Sequence, residues 1–185
     1  MHRPAFTAGI PSGTGLGFAH KYKDEDNLCA TYLGDGAINQ GQVYEAFNMA
    51  ALWKLPVLYI IENNKYGMGT SVARASAHTD LFNRGSAYGI PGEEVDGMNV
   101  VTVNAAAAKA IEHIRAGKGP YILEMSTYRY RGHSMSDPAK YRSKEEVQKM
   151  RSERDPIDNV RAMLLDMKDV TEESLKEIDK EVKAI

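Results

Sequence analysis

Hydrophobic runs and amphipathic stretches alternate along this chain. Residues 28–33 (LCATYL) and 57–61 (VLYII) are short apolar runs bounded by turn-forming residues, which is the pattern of buried strands. Between them, residues 40–53 place their apolar side chains on one broad helical face, and Pro56 ends that helix. Strand, helix and strand in this order predict a unit of a parallel sheet.

Further elements are predicted on both sides of this unit. Residues 12–23 are rich in glycine and indicate a helix that packs closely on a neighbouring backbone. The other elements expected are a short helix at 81–88, a strand at 100–103, a helix at 104–116 and a strand at 121–125. The chain therefore predicts an α/β fold with helices on both faces of a parallel sheet of at least four strands.

The last part of the chain is predicted to be helical and charged. Ser143 and Glu146 form a capping-box pattern after an aperiodic segment, 128–142, that is rich in Arg, Tyr and Ser. Asp155 before Pro156 and Thr171 further on are typical helix starts. We predict one domain over 1–142 and a C-terminal helical extension over 143–185.

Composition and charge exclude several classes of protein. A net charge of −2 argues against nucleic acid as the main partner. The chain contains no run of about 18 apolar residues, and its N-terminus does not resemble a secretory signal. We expect no membrane partner and a cytoplasmic or mitochondrial-matrix-like location. Cys29, the single cysteine, is interpreted as a small hydrophobic residue.

Polar residues follow two of the predicted strands where each strand ends. Gly34, Asp35 and Gly36 follow the first, and Asn63 and Asn64 follow the second after 26 intervening residues. The carboxyl ends of parallel strands meet at one edge, so these oxygen ligands are expected side by side. They suit a hard cation such as magnesium or calcium, and glycine leaves room for a diphosphate. GDG alone is more typical of a plain turn, and the NN pair favours a site.

The spacing of GDG and NN resembles the signature of thiamine-diphosphate enzymes. The segments ENNKYGMGTSVARA, VDGMNV and TYRYRGHSMSDPAKYRSKEE resemble alpha subunits of pyruvate dehydrogenase, in the thiamine-diphosphate-dependent 2-oxoacid dehydrogenase family. The resemblance covers nearly the whole chain. It implies the thiamine-diphosphate-binding fold, thiamine diphosphate and Mg²⁺ as cofactors, and oxidative decarboxylation of pyruvate with acetyl transfer to a lipoyl group.

The resemblance also implies roles for particular residues. Mg²⁺ would be bound by Asp35, the side chain of Asn64 and the backbone carbonyl of Tyr66. His133, in RGHSMSDP, would reach the cofactor and act in catalysis by shaping the approach of substrate and lipoyl group. The alternative for this histidine is a hydrogen bond that stabilises its loop. The residues implied to bind the cofactor are Gly34, Asp35, Gly36, Ala37, Asn64 and His133.

Partners are implied by the same resemblance. A beta subunit would supply the glutamate that ionises the cofactor, in an alpha2-beta2 heterotetramer, and a lipoyl-bearing acetyltransferase would accept the acetyl group. We also expect an upstream part to be missing, because no strand precedes the glycine-rich start. The alternatives are another 2-oxoacid or acetoin dehydrogenase alpha subunit, and a truncated fragment without catalytic activity.

Overall fold

A four-stranded parallel sheet forms the centre of the computed structural model, which describes residues 9–167 and 170–185. Its strand order is β1-β2-β6-β5, and a separate two-stranded antiparallel hairpin joins β3 to β4. The strands are β1 (Cys29–Gly34), β2 (Val57–Asn63), β3 (Tyr66–Gly67), β4 (Thr70–Ser71), β5 (Gly92–Asp96) and β6 (Tyr121–Ser126). The predicted parallel sheet is confirmed.

Helices cover both faces of this sheet. The α-helices are α1 (Gly9–Tyr22), α2 (Gly41–Leu52), α3 (Val72–Ala75), α4 (Val100–Arg115), α5 (Lys144–Arg154), α6 (Pro156–Asp166) and α7 (Glu172–Ala184), with 3-10 turns at Ala37–Asn39 and Leu81–Tyr88. On β2, Tyr59 and Ile61 belong to the core cluster shared with α1 and α2. Leu58 and Ile60 belong to the cluster shared with α4. The alternation of side chains along β2 thus divides the core into two layers.

The prediction of a strand at 100–103 is wrong, because these residues form the first turn of α4. The Asn99 side chain accepts hydrogen bonds from the amides of Val101 (3.0 Å) and Thr102 (3.4 Å), and so caps this helix. Valine and threonine favour strands, but a satisfied helix start overrides that preference here. The edge strand is β5 (Gly92–Asp96) instead, whose sequence GEEVD carries only one large apolar residue.

The helix starts predicted in the C-terminal part are confirmed. The Ser143 hydroxyl accepts from the Glu146 amide (3.0 Å), and the Asp155 carboxylate accepts from the Ile157 amide (3.0 Å). Thr171 forms a capping box at the start of α7. The division at 142/143 into a domain and an extension stays a prediction. Across 9–167 and 170–185, no helix is long and apolar enough to span a membrane.

Candidate metal and diphosphate site

Asp35 lies directly after β1, at the carboxyl edge of the sheet, with only 4% of its surface exposed. Burial raises the pKa of its carboxyl because the ionised form loses its water. Hydrogen bonding to the backbone of Asp35 and Asn64 and the charges of Arg129 and Lys65 oppose this rise. An ionised Asp35 is therefore costly in this position, and a divalent cation is the kind of ligand that would offset the cost.

The two asparagines after β2 have different surroundings, although the sequence predicts that both present oxygen ligands. Asn63 is fully buried, and its amide nitrogen donates to Glu124 Oε1 (2.5 Å). Its side-chain oxygen accepts from the Lys65 amide (3.0 Å). The prediction is wrong for Asn63, because its oxygen is already engaged in holding the backbone of the following turn.

Glu124 completes this buried network, and the sequence pattern did not identify it as a candidate. Its side chain on β6 is 1% exposed, and its second oxygen accepts from the Phe82 amide (2.9 Å). The only available signal was a carboxylate within an otherwise apolar strand, YILEMS. Buried carboxylates are rare unless hydrogen-bonded, so this residue could have been recognised as part of a polar network.

Asn64 is half-buried, and its side-chain amide lies between two groups. One end is 3.0 Å from the backbone oxygen of Tyr66, and the other is 3.0 Å from Arg129 Nη2. With its nitrogen toward Tyr66, the amide donates to that carbonyl and its oxygen accepts from Arg129. This orientation satisfies both ends of the amide within the protein. For the Asn64 oxygen to bind a metal ion, the amide would rotate, and its nitrogen would then face the donor Arg129 Nη2.

The oxygen atoms available around Asp35 suit a hard cation such as magnesium. Within the described residues, no group of three or more His, Cys, Asp or Glu side chains could hold a metal ion. The candidate site instead combines the carboxylate of Asp35 with the neutral oxygens of Asn64 and Tyr66. One carboxylate together with phosphate oxygens is a usual ligand set for Mg²⁺.

The hairpin β3–β4 brings the turn after β1 and the turn after β2 together. Tyr66 pairs with Ser71, and a Cβ on Gly67 would lie 3.5 Å from the Cα of Gly36. A Cβ on Gly34, by contrast, would meet nothing within 4 Å. Ala37 begins the 3-10 turn that separates Gly36 from α2. Asp35, Gly36, Asn64 and Tyr66 thus lie close together, and their role in binding a metal ion or a diphosphate stays a prediction.

His133 lies in an exposed part of the segment 128–142. Its backbone amide donates to Asp137 Oδ2 (2.7 Å), which also accepts from the Tyr141 hydroxyl (2.7 Å). Asp137 Oδ1 accepts from the Ala139 amide (2.9 Å), and these bonds lower the pKa of the Asp137 carboxyl. The loop is therefore organised around Asp137, and the catalytic role of His133 stays a prediction.

The fold places this chain in the class of α/β proteins built on a parallel sheet, which commonly bind ligands at the carboxyl ends of their strands. A solved structure described as a putative thiamin diphosphate-dependent enzyme from Mycobacterium smegmatis matches with a TM-score of 0.53. The match covers 65% of this chain and 22% of that one, at 20% identity. This similarity shows the fold.

The family is shown by sequence: the model for the Dehydrogenase E1 component matches residues 3–185, and the chain belongs to this family. Relatives named pyruvate dehydrogenase E1 component subunit alpha are 67% identical over 96% of this chain in Rhizobium meliloti and 57% identical over 95% in Zymomonas mobilis. A mitochondrial type II relative from Ascaris suum is 56% identical over 94% of this chain. The chain spans about half the length of these relatives, at 51%, 49% and 44% respectively.

Proposed function

We propose that this chain is the diphosphate-binding part of a pyruvate dehydrogenase alpha subunit. The whole subunit would take part in the oxidative decarboxylation of pyruvate and the transfer of acetyl to a lipoyl group. The observation that carries the proposal is that Asp35, Asn64 and the Tyr66 carbonyl lie together at the carboxyl edge of the sheet. The Asn64 backbone hydrogen-bonds to the Asp35 carboxylate, and the Asn64 side-chain amide lies 3.0 Å from the Tyr66 oxygen. The 67% identity to a relative with this name supports pyruvate over other 2-oxoacids or acetoin.

The residues present fit thiamine diphosphate held through Mg²⁺. Asp35, the Asn64 side chain and the Tyr66 carbonyl would hold the ion. The backbone at Gly34, Gly36 and Ala37 would line the diphosphate. A Cβ on Gly34 would meet nothing within 4 Å, which leaves space there for phosphate oxygens. The cofactor, when bound, would supply the carbanion stabilisation that decarboxylation needs.

Partners and location follow from the proposal and are part of it. A beta subunit would complete the active site in an alpha2-beta2 heterotetramer, and a lipoyl-bearing acetyltransferase would receive the acetyl group. Relatives occur in bacteria and are named mitochondrial in Ascaris suum. The location that we propose is accordingly the bacterial cytoplasm or a compartment resembling the mitochondrial matrix.

The metal ligands are tested by calorimetry with Mg²⁺ and thiamine diphosphate, using this chain alone and with its beta partner. Asp35→Asn removes the charged ligand and is expected to lower Mg²⁺-dependent cofactor affinity at least about tenfold, because a carboxylate contributes most to binding a hard cation. Asn64→Leu should have a similar effect. Asp96→Asn, at the carboxyl end of β5, is the matched control and should bind normally.

Retained affinity in Asp35→Asn and Asn64→Leu, with folded variants, would contradict the metal assignment. Binding only with the beta partner present supports a split active site. An absence of binding by the unaltered chain in both cases supports the alternative of a fragment without catalytic activity. Comparing pyruvate with a branched-chain 2-oxoacid in the reconstituted enzyme then tests the choice of substrate.

The role of His133 is tested by separating the two half-reactions. We expect His133→Ala to lower acetyl transfer to the lipoyl group more than decarboxylation followed with an artificial electron acceptor. Asp137→Asn is the control, because it loosens the same loop and keeps the imidazole. An equal loss in both half-reactions for His133→Ala would indicate that the residue only stabilises its loop.

A further inference from the structure

The guanidinium of Arg142 lies among three tyrosine rings. Its central carbon is 4.3 Å from the ring centroid of Tyr128, 4.9 Å from that of Tyr66 and 5.9 Å from that of Tyr141. The rings of Tyr66 and Tyr141 are themselves stacked, with centroids 4.7 Å apart. All three distances are within the range of a cation–π interaction. A single side chain thus joins the end of β6, the hairpin β3–β4 and the segment before α5.

The same guanidinium donates hydrogen bonds to two backbone carbonyls. Nη1 donates to the carbonyl of Arg129, and Nη2 donates to that of Asn64 (2.5 Å). Asn64 is one of the proposed metal ligands, and Tyr66, beneath the guanidinium, supplies another through its carbonyl. Arg142 therefore contacts both residues that would present neutral oxygens to the ion.

We propose that Arg142 is a positioning residue that orders the metal-binding turn and the loop carrying His133 as one unit. The inference rests on the proposed function, and it identifies what holds the proposed site in shape. The bond to the Asn64 carbonyl and the stacking on Tyr66 restrict the turn at 64–67. The bond to the Arg129 carbonyl and the contact with Tyr128 restrict the start of 128–142. Because Arg142 contacts both segments, ordering of 64–67 favours ordering of 128–142.

Lysine cannot replace Arg142 in this role. The two carbonyl bonds use two different nitrogens of one planar group, while the faces of that group remain against aromatic rings. An ammonium is a point charge without this fixed fork. Arg142→Lys therefore keeps the positive charge and removes the planar group that bonds both carbonyls. The variant separates a positioning role from a purely electrostatic one.

The first test measures hydrogen exchange on the chain without metal or cofactor. In Arg142→Lys, amides of 63–68 and of 128–142 should both exchange faster, by about tenfold, because the link between them is lost. Arg115→Lys, at the exposed end of α4, is the matched control and should leave both segments unchanged. Faster exchange in one segment only, or in neither, overturns the proposal. This readout does not depend on whether the site binds Mg²⁺.

The second test measures the Mg²⁺ concentration needed for half-saturation in the complex with the beta partner. Arg142→Lys should raise it about tenfold, and Tyr66→Leu, which keeps the backbone carbonyl, should raise it less. Because both changes act on the same turn, the double variant should be less impaired than the product of the single effects predicts. Independent, multiplicative effects would overturn the proposal. Retained Mg²⁺ affinity in Asp35→Asn would instead contradict the proposed function.

Discussion

At the scale of single residues, the neighbouring Asn63 and Asn64 differ in their burial and in their hydrogen-bond partners. Successive side chains at the end of a strand point in opposite directions, so Asn63 faces Glu124 inside the core while Asn64 faces Arg129 at the edge. The buried asparagine fixes the backbone amide of Lys65. The Asn63 and Glu124 side chains thus fix the backbone from which the proposed ligand Asn64 extends.

Replacing Glu124 with glutamine tests this support. The substitution places an amide NH₂ against a donor, either the Asn63 nitrogen or the Phe82 amide. A buried donor without a partner costs about 1 to 3 kcal/mol, so the unfolding free energy measured in urea should fall by about that amount. Glu94→Gln is the matched control, since Glu94 pairs in register with Glu124 but is exposed on β5. Equal loss in both variants would contradict the network.

The sequence predicted those site residues whose role depends on their own chemistry and on their place after a strand. Asp35 and Asn64 are candidates of this kind, and their role as ligands stays a prediction. Glu124 and Arg142 were not predicted, because their partners are distant in sequence: Glu124 contacts Phe82 across 42 residues, and Arg142 contacts Asn64 across 78. No local pattern encodes such pairs, so the supporting contacts became visible only in the folded chain.

At the scale of elements, α1 packs on the sheet through its glycines. A Cβ on Gly17 would lie 2.4 Å from Val57 Cγ2, and one on Gly13 would lie 2.6 Å from Thr31 Cβ. The Thr31 hydroxyl donates to the Gly9 carbonyl (3.1 Å), which confirms that helix backbone and strand are close. The glycine pattern predicted this close packing. The start of α4 was predicted as a strand instead, because its residues are β-branched, and capping by Asn99 outweighs that strand preference.

Alanine scanning of the α1 glycines should give opposite signs at neighbouring positions. Gly17→Ala forces a methyl into Val57 and is expected to lower the unfolding free energy by about 1 to 3 kcal/mol. Gly15→Ala meets nothing within 4 Å and should raise it by up to about 1 kcal/mol, because alanine is the better helix former. Thermal or urea denaturation measures both. A destabilising Gly15→Ala would show that the helix has no tolerance for side chains on its outer face.

At the scale of the whole molecule, the topology determines where ligands bind. The proposed ligands Asp35 and Asn64 follow the adjacent parallel strands β1 and β2, and the carboxyl edge of the strands is the common ligand position of parallel α/β sheets. The alternation of strand and helix signals was sufficient to predict this class of fold. The proposed assembly with a beta subunit depends on surfaces whose complement is another chain, and a single sequence carries little information about them.

Ligand binding should therefore stabilise the entire fold. At about one hundred times the dissociation constant, a ligand that binds only the folded state adds about 2.7 kcal/mol. The complex with the beta partner has a larger entropy of unfolding than this chain alone, so the same free energy should raise its melting temperature by a few °C with Mg²⁺ and thiamine diphosphate, and a chelator should reverse the rise. Scanning calorimetry of the complex with the beta partner measures the shift.

Asp35→Asn should remove this ligand-dependent increase, while Asp96→Asn keeps it. Without Mg²⁺ and thiamine diphosphate, Asp35→Asn should be at least as stable as the unaltered chain near neutral pH. The reason is that burial raises the pKa of the Asp35 carboxyl and makes its ionised form unfavourable. A strongly destabilised Asp35→Asn would indicate that the carboxylate has a structural role.

The placement of Asp35 one residue beyond Gly34 and of Asn64 two residues beyond Glu62 has a consequence for ion selectivity. Gly34 and Glu62 are paired across adjacent hydrogen-bonded strands, whose separation of about 4.8 Å is set by the peptide ladder. Side chains that extend from such a frame cannot move apart freely to accommodate a larger ion. Ca²⁺ requires longer bonds and more ligands than Mg²⁺. We therefore expect the fixed spacing of these two strands to favour the smaller cation, Mg²⁺.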